Sequence, residues 1–309
     1  MVSTAILAKN QFHKIKAILI VLLMASFSLA QDGSLTEHTI EHDGLSRSYL
    51  LYVPASYDGT TEWPLVISYH GNGVDLVNYM SGTAMSKEAD VAQYIVAYPQ
   101  GLEICTLRGC TPGWNLLGRF SDNDDMGFSL ALINQIKANY RIDPSRVHLA
   151  GWSMGAGFAY EVACLQSDQI ASFAAVSQQM AIPQFSACSP DRAMSFLQIH
   201  GTADPAISFD GGSAGFFGPA PETAAFWGTL NNCSPDPTSM EIEDEVTEDN
   251  STVTLFEYNG CDSETEVLFY QVNDGGHAWP GPGVLDTRVN LGNWNRDINA
   301  SFEILTFFG

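Results

Sequence analysis

A serine flanked by glycines is the feature of this sequence that most directly suggests chemistry. The segment Gly151-Trp152-Ser153-Met154-Gly155 follows a short apolar run and precedes small residues that can continue as a helix. A sharp turn between strand and helix exposes a serine hydroxyl, and glycines two positions away on either side leave room for that turn. The amide of Met154 then lies at a helix N-terminus, where it can donate to a developing oxyanion. We therefore predict Ser153 as a nucleophile and Met154 as an oxyanion donor.

His277 is the predicted general base, because a serine hydroxyl attacks well only when a neighbouring imidazole takes its proton. The other six histidines lie in the N-terminal segment, ahead of the sheet, at strand ends before glycine, or within a strand: His13, His38, His42, His70, His200 and His148. His277 instead follows a predicted strand in a glycine-rich loop and comes after a candidate carboxylate in the chain.

Asp204 is the predicted acid, since a carboxylate must hold the imidazole in the correct tautomer. It closely follows the predicted strand Ser195–Ile199. Asp210 follows the same strand and is the alternative, but the glycines after it indicate a turn. The chain order Ser153, Asp204, His277 is that of α/β hydrolases and differs from the orders of the two well-known types of secreted serine protease.

The predicted elements place these residues at one edge of a sheet. Apolar strands alternate with helical segments, a pattern typical of an α/β fold with a mostly parallel twisted sheet and helices on both faces. Carboxyl ends of parallel strands share the edge where such sheets bind ligands. The predicted elements, besides the strand before Ser153, are an antiparallel N-terminal hairpin from 35 to 53, core strands at 65–69, 94–98, 173–177, 195–199 and 267–272, and helices at 76–89, 126–140 and 296–307.

A second oxyanion donor is predicted at the end of the strand Leu65–Tyr69. His70-Gly71-Asn72-Gly73 follows that strand, and its glycines let the backbone turn amides toward the crevice. We therefore predict the amide of Asn72 as the partner of Met154.

Four aromatic residues are candidates for substrate binding at the crevice. Trp114 lies in a long loop after the strand 94–98, and Trp279 follows the predicted base; both are predicted to stack on a substrate. Phe216 and Phe217 are further candidates for the rim. Ordinary packing is the alternative for each of the four.

The first thirty residues are a predicted secretory signal peptide. Lysines precede the apolar run Ala17–Leu23, and the segment ends in Ser28-Leu29-Ala30. That run is shorter than the roughly twenty apolar residues of a transmembrane helix. We therefore expect residues 31–309 to form a single α/β-hydrolase catalytic domain that is secreted to the periplasm or the medium as a monomer.

The rest of the chain is strongly acidic. The formal net charge is −22, and the first thirty residues contain three lysines and no acid, which leaves −25 for residues 31–309. Such a surface repels nucleic acids and anionic membranes. Neither is therefore expected as a partner.

Six cysteines follow the signal segment, which predicts three disulfides in an oxidising compartment. Fifteen pairings are possible in principle. Nearness in the sequence favours Cys105 with Cys110, Cys164 with Cys188 and Cys233 with Cys261.

No metal site is expected. The cysteines lack a C-x-x-C pair with nearby histidines. The segment Asp122–Gly127 begins like a calcium loop but has Met126 at the fifth position and no closing glutamate. Asp124 or Asp125 is instead predicted to cap the next helix.

Short motifs along nearly the whole chain after the signal carry a family resemblance. They are Arg47-x-Tyr49, Tyr52-Val53-Pro54, Pro64-Leu65-Val66-Ile67, His70-Gly71, Tyr98-Pro99-Gln100-Gly101, Asp124-Asp125-Met126-Gly127-Phe128, Gly151-Trp152-Ser153-Met154-Gly155, His200-Gly201-Thr202-Ala203-Asp204 and Gly276-His277-Ala278-Trp279-Pro280-Gly281. Together they resemble the secreted polyhydroxybutyrate depolymerase and feruloyl esterase family of α/β hydrolases, which is similar to carbohydrate esterase family 1.

The resemblance implies a serine esterase that works through an acyl-enzyme, with Ser153 as nucleophile, Asp204 as acid, His277 as base and no metal or organic cofactor. It also supports the pairing of Cys233 with Cys261. The sequence departs from the family after His70-Gly71, where further small residues are common and Asn72-Gly73-Val74-Asp75 stands instead. This departure leaves the shape of the acyl pocket open.

Feruloyl or acetyl esters on polysaccharide are the first expectation for the substrate, and an aliphatic hydroxyalkanoate polyester is the alternative. No insert between Phe173 and Ser195 is long enough for a large lid, so the crevice should admit a polymer chain. A peptidase on this fold would need a gating domain that the chain is too short to hold. The alternative from another class is a non-catalytic binding protein on the same fold.

Overall fold

A computed structural model describes residues 33–106, 109–212, 216–285 and 290–309. The predicted signal peptide, residues 1–30, lies outside the described residues and stays a prediction, as does the single catalytic domain. The strands are β1 (Ser34–His42), β2 (Leu45–Val53), β3 (Trp63–Tyr69), β4 (Ile95–Pro99), β5 (Glu103–Thr106), β6 (Gly109–Pro112), β7 (Ile142–Trp152), β8 (Ser172–Val176), β9 (Ser195–Gly201), β10 (Thr238–Glu241), β11 (Thr252–Tyr258) and β12 (Val267–Asn273). The helices are α1 (Leu76–Thr83), α2 (Met85–Ala92), α3 (Asp125–Asn139), α4 (Met154–Leu165), α5 (Ile182–Ala187), α6 (Ala220–Leu230) and α7 (Ala300–Phe308).

The main sheet has the strand order β1-β2-β4-β3-β7-β8-β9-β12-β11-β10. The six central strands, in spatial order from β4 to β12, run parallel to one another. At each edge two further strands join the sheet, and each of them pairs antiparallel with its neighbours. The predicted mostly parallel sheet and N-terminal hairpin are confirmed. The second antiparallel edge is not among the predicted elements. Its outer strand, β10, has only exposed residues, so no apolar pattern marks that strand.

Both faces of the sheet are covered, which explains why its central strands are continuously apolar. Successive side chains of a strand point to opposite faces. Leu65 and Ile67 of β3 therefore pack in the cluster that contains α3, α4 and α6, while Val66 packs in the cluster that contains α1, α2 and α7. The sheet is thus held between two helical layers, and its carboxyl edge is a rigid support for loops.

Two predicted helices have different bounds in the structure. The segment predicted as one helix, 76–89, forms α1 and α2, separated at Ala84 by a left-handed backbone conformation with φ 52°. The last helix begins at Ala300 rather than Arg296, because the Asn299 side chain accepts hydrogen bonds from two amides of its first turn. In both cases a local backbone event, rather than the apolar pattern, sets the boundary.

The acidic pair before α3 divides its tasks. Asp124 accepts a hydrogen bond from the amide of Gly127 at 2.8 Å and caps the helix, which confirms one of the two predicted caps. Asp125 instead lies 2.7 Å from the guanidinium of Arg47, and both side chains are 1% exposed. In the described ranges, no three histidine, cysteine, aspartate or glutamate side chains are grouped to hold a metal ion.

The three predicted disulfides are confirmed. One closes the β5–β6 hairpin, one joins α4 to the end of α5, and one joins the loop after α6 to the loop after β11: Cys105–Cys110, Cys164–Cys188 and Cys233–Cys261. Such crosslinks stabilise a fold by restricting its unfolded chain. None of the described helices combines the length and apolar character needed to cross a bilayer.

Candidate active site

Ser153 occupies a strained turn between β7 and α4. Its φ of 53° and ψ of −126° fall outside the regions that L-residues ordinarily adopt. Such a conformation costs about 1–3 kcal/mol and persists only when the surroundings impose it. The amide of Ser153 donates to the carbonyl of Val176 at 2.9 Å, which ties the turn to β8.

The two glycines around Ser153 are required by close backbone contacts. A Cβ atom at Gly155 would lie 2.1 Å from the carbonyl oxygen of Tyr69 in β3, and one at Gly151 would lie 2.4 Å from the carbonyl oxygen of Gly155. These distances are far below a normal contact. The structure therefore confirms that the glycines make room for the turn.

Gly155→Ala should reduce the free energy of unfolding by about 3 kcal/mol, because the added methyl group must displace backbone of the central strand β3. Gly157→Ala is the matched control in the same helix, since its methyl group would meet the side-chain amide of Gln178, which can rotate away. We expect that control to change stability by less than about 1 kcal/mol. Urea unfolding of both variants checks this, and equal losses would contradict the explanation.

Ser153, His277 and Asp204 lie together at the carboxyl edge of the sheet. The Nε2 atom of His277 lies 2.8 Å from Ser153 Oγ, and its Nδ1 atom lies 2.7 Å from Asp204 Oδ2. An ionised carboxylate only accepts hydrogen bonds, so Nδ1 carries the proton and Nε2 is free to accept the serine proton. The structure therefore brings the three predicted residues into the arrangement that base-assisted attack requires.

The acid is held by its own loop. Asp204 Oδ1 accepts hydrogen bonds from the amides of Ala206 and Ile207, each at 2.8 Å, and this leaves Oδ2 directed at His277. The alternative acid, Asp210, is exposed and is not the carboxylate bound to the imidazole. The geometry therefore favours Asp204 over Asp210.

Ser177 is a supporting residue that sequence reasoning missed. It has a φ of 54°, and its hydroxyl donates to the carbonyl of Ala278, next to His277, at 2.7 Å. On the other side, the amide of His277 donates to the carbonyl of Leu291. No sequence pattern marks Ser177, because its partner lies about a hundred residues away and only the fold brings the two together.

Asn72 and Met154, the predicted oxyanion donors, line the same cavity as Ser153. The loop that carries Asn72 lies against the serine, since a Cβ at Gly71 would lie 3.2 Å from Ser153 Cβ. The hydroxyl of Thr111 donates to the Asn72 side chain at 2.8 Å and steadies this loop. Within the described ranges, neither amide donates to a protein acceptor, so both are available to a ligand.

Trp114 and Trp279 are buried, which contradicts their predicted stacking on a substrate. They are 0% and 1% exposed. The indole of Trp114 donates to the carbonyl of His70 at 2.8 Å, and that of Trp279 donates to Ser301 Oγ at 3.1 Å. Both rings are therefore packing residues that support the loops of the site from below.

Ser153 and His277 open into a crevice of about 1000 Å³. The residues that line it from the segment after β3 include the polar Asn72, Asp75, Asn78 and Ser81. The lining from later segments includes the apolar Leu116, Phe120, Ala206, Ile207, Phe216 and Phe217. The remaining two predicted rim aromatics, Phe216 and Phe217, thus do face the crevice.

The histidines set aside by elimination are buried and uncharged. Burial lowers the pKa of His70 to about 4, that of His200 to about 4 and that of His148 to about 3. His70 is also engaged by its neighbours: its Nδ1 donates to the carbonyl of Gly71 at 2.7 Å, and its Nε2 accepts from the amide of Gly101 at 2.9 Å. None of the three forms a hydrogen bond with Ser153.

His148 should make the protein sensitive to acid. Its pKa is about 3 in the folded state and about 6.5 when unfolded, so between these values only the unfolded chain binds the proton. The free energy of unfolding should therefore fall as pH drops below about 6.5, by about 1.4 kcal/mol per unit for this group. Urea unfolding of His148→Gln between pH 6 and 4 should give a slope of unfolding free energy against pH that is smaller by about 1.4 kcal/mol per unit, the contribution of one proton. A slope equal to that of the parent would contradict this.

The sheet and the serine-centred geometry place the chain among the α/β hydrolases. A solved acetyl xylan esterase from Aspergillus awamori has the same fold, with a TM-score of 0.54 and 14% identity; the match covers 80% of this chain and 94% of that one. Residues 47–220 match the family model described as esterase PHB depolymerase. The chain belongs to that family.

Curated relatives have names that describe esterases. Feruloyl esterase B of Piromyces equi is 27% identical over 242 residues, which cover 75% of this chain and 42% of that protein. A bifunctional acetylxylan esterase/xylanase of Neocallimastix patriciarum is 24% identical over 82% of this chain and 34% of that protein. Probable feruloyl esterase C of Aspergillus niger is 25% identical over 82% of this chain and 84% of that protein. The chain thus spans less than half the length of the first two relatives.

Proposed function

We propose that the chain is a secreted serine esterase that hydrolyses carboxylic esters on a polysaccharide through an acyl-enzyme. The observation that carries the proposal is the hydrogen-bonded series from Ser153 through His277 to Asp204. Three disulfides support an oxidising compartment. The monomeric state expected from the sequence stays a prediction.

The proposed reaction begins when His277 Nε2 takes the proton of Ser153 Oγ as the oxygen attacks the ester carbonyl. The amides of Asn72 and Met154 stabilise the oxyanion of the tetrahedral intermediate. The imidazolium, stabilised by Asp204, then gives its proton to the leaving alcohol. Water attacks the resulting acyl-enzyme with the same imidazole as base, which releases the acid and restores the serine.

The mixed lining of the crevice supports an ester that joins unlike partners. Its apolar side chains, which include Phe120, Phe216 and Phe217, suit a hydrophobic or aromatic acyl group. Its polar side chains, which include Asn72 and Ser81, suit the hydroxyl groups of a sugar. Feruloyl and acetyl esters are therefore the preferred substrates, in agreement with the names of the relatives.

A polyester of hydroxyalkanoic acids is the second candidate, because the description of the matched family model, esterase PHB depolymerase, names the depolymerase of the polyester polyhydroxybutyrate. The test is hydrolysis of methyl ferulate, acetylated xylan and amorphous polyhydroxybutyrate by the purified protein. Release of ferulate or acetate supports the proposal, and clearing of the polyester alone would favour the second candidate. Binding of polysaccharide without turnover of any of the three would instead favour a non-catalytic binding protein.

A further inference from the structure

Arg119 stands at the rim of the crevice. Its side chain is exposed, and its guanidinium carbon lies 4.7 Å from the centre of the Phe216 ring, which lines the crevice. The described residues that line the crevice itself include Asp75 but no lysine or arginine. Arg119 is thus a cation that the structure places beside the candidate active site.

No carboxylate pairs with Arg119 in the part of the chain that the structure describes, whereas Arg47 and Arg146 each have an aspartate partner. Residues 213–215, which precede Phe216, are serine, alanine and glycine and bring no charge. A guanidinium that stacks on a ring keeps the N–H donors along its edge free. Those donors form the planar fork that binds a carboxylate with two parallel hydrogen bonds.

The loop that carries Arg119 is anchored in the protein interior. The side-chain oxygen of Asn115 accepts hydrogen bonds from two amides of the loop, at 3.0 and 3.1 Å. The amide of Asn115 donates to Asp125 at 2.8 Å, and the buried pair of Asp125 with Arg47 fixes that carboxylate. A rim cation on a preset loop binds an anion with little loss of backbone entropy.

We propose that Arg119 binds a carboxylate of the substrate, and that the natural ester is therefore carried by an acidic polysaccharide with a uronate near the esterified sugar. This inference rests on the proposed esterase function. The surface of residues 31–309 is strongly acidic and repels a polyanion, so a cation at the rim sets where such a chain enters.

The test is a ratio of kcat/KM values on two acetylated oligosaccharides that differ only in a uronate carboxylate. We expect the protein to prefer the acidic oligosaccharide and Arg119→Gln to lower that preference about tenfold, the factor that corresponds to about 1.4 kcal/mol. Arg119→Lys, which keeps the charge but not the fork, should retain part of the preference. Arg141→Gln is the control: it removes one exposed positive charge just before β7, at the opposite edge of the sheet, and should leave the ratio unchanged.

A second substrate pair locates the carboxylate. If the preferred carboxylate belongs to the acyl group, Arg119→Gln should lower kcat/KM for p-nitrophenyl hemiglutarate more than for p-nitrophenyl butyrate. The preference for the acidic oligosaccharide should then be the same with and without Arg119. That result would overturn the uronate assignment. An acidic preference that is equal in the protein and in Arg119→Gln would overturn the binding role itself.

Calorimetric binding separates this inference from the proposed function. Ser153→Ala should bind the deacetylated acidic oligosaccharide, and Ser153→Ala with Arg119→Gln should bind it about tenfold more weakly. If binding depends on Arg119 but the unsubstituted protein hydrolyses no ester, the esterase function is refuted and the carboxylate site is supported. Hydrolysis of neutral esters together with equal binding by the two proteins would refute the carboxylate site alone.

Discussion

Ser153→Ala should lower kcat for p-nitrophenyl acetate by about 10⁶-fold, because the nucleophile and its proton transfer are lost together. Oxyanion donors and substrate binding remain, so hydrolysis about 10³-fold above the uncatalysed rate is expected to persist. The strand, the turn and α4 do not depend on the hydroxyl, and the variant should unfold at nearly the same urea concentration as the parent. A loss of less than tenfold would contradict the assignment of the nucleophile.

Two comparison variants make the result specific to this position. Ser186→Ala changes an exposed serine in α5 and should leave kcat unchanged. Ser153→Gly should be as inactive as Ser153→Ala but more stable by about 1 kcal/mol, because glycine tolerates the strained backbone at φ 53°. Equal stability of the alanine and glycine variants would show that the turn stores no strain.

Asp204→Asn should lower kcat by about 10⁴-fold with little change in stability. The asparagine oxygen can still accept the amides of Ala206 and Ile207, so its amino group faces His277 Nδ1. That nitrogen must then accept a hydrogen bond, which places the imidazole proton on Nε2, where it cannot receive the serine proton. The effect is therefore on the tautomer rather than on the fold.

Asp210→Asn is the matched control, because Asp210 follows the same strand but is exposed. We expect its kcat to equal that of the parent. A large loss for Asp210→Asn and a small one for Asp204→Asn would reverse the assignment of the acid. Steady-state rates at one saturating substrate concentration are sufficient for the comparison.

The parts of the site that depend on local sequence were open to prediction. Gly151 is required by a backbone contact with Gly155 and Gly155 by a contact with β3, but both glycines lie two residues from Ser153, so the turn is visible in the chain itself. The order of Ser153, Asp204 and His277 follows from strands whose apolar runs are easily recognised. The disulfides were open to prediction for a similar reason, since each joins the nearest cysteines in the sequence.

The parts of the site that depend on packing between distant segments could not be predicted from the sequence. Trp114 follows a strand in a long loop, as a substrate-binding residue often does, yet the fold buries its ring and gives its indole an acceptor in the loop after β3. The contact of Ser177 with Ala278 and the stacking of Arg119 on Phe216 join segments about one hundred residues apart. No local pattern distinguishes such residues from ordinary loop residues.

Covalent labelling with an organophosphonate ester tests the central claim most directly, because the reagent reacts only with a serine that a base has activated. Mass spectrometry of the labelled protein should find one adduct per chain, on the peptide that contains Ser153, and His277→Ala should prevent its formation. An adduct on another residue would contradict the account. So would full ester hydrolysis by protein in which Ser153 is completely labelled.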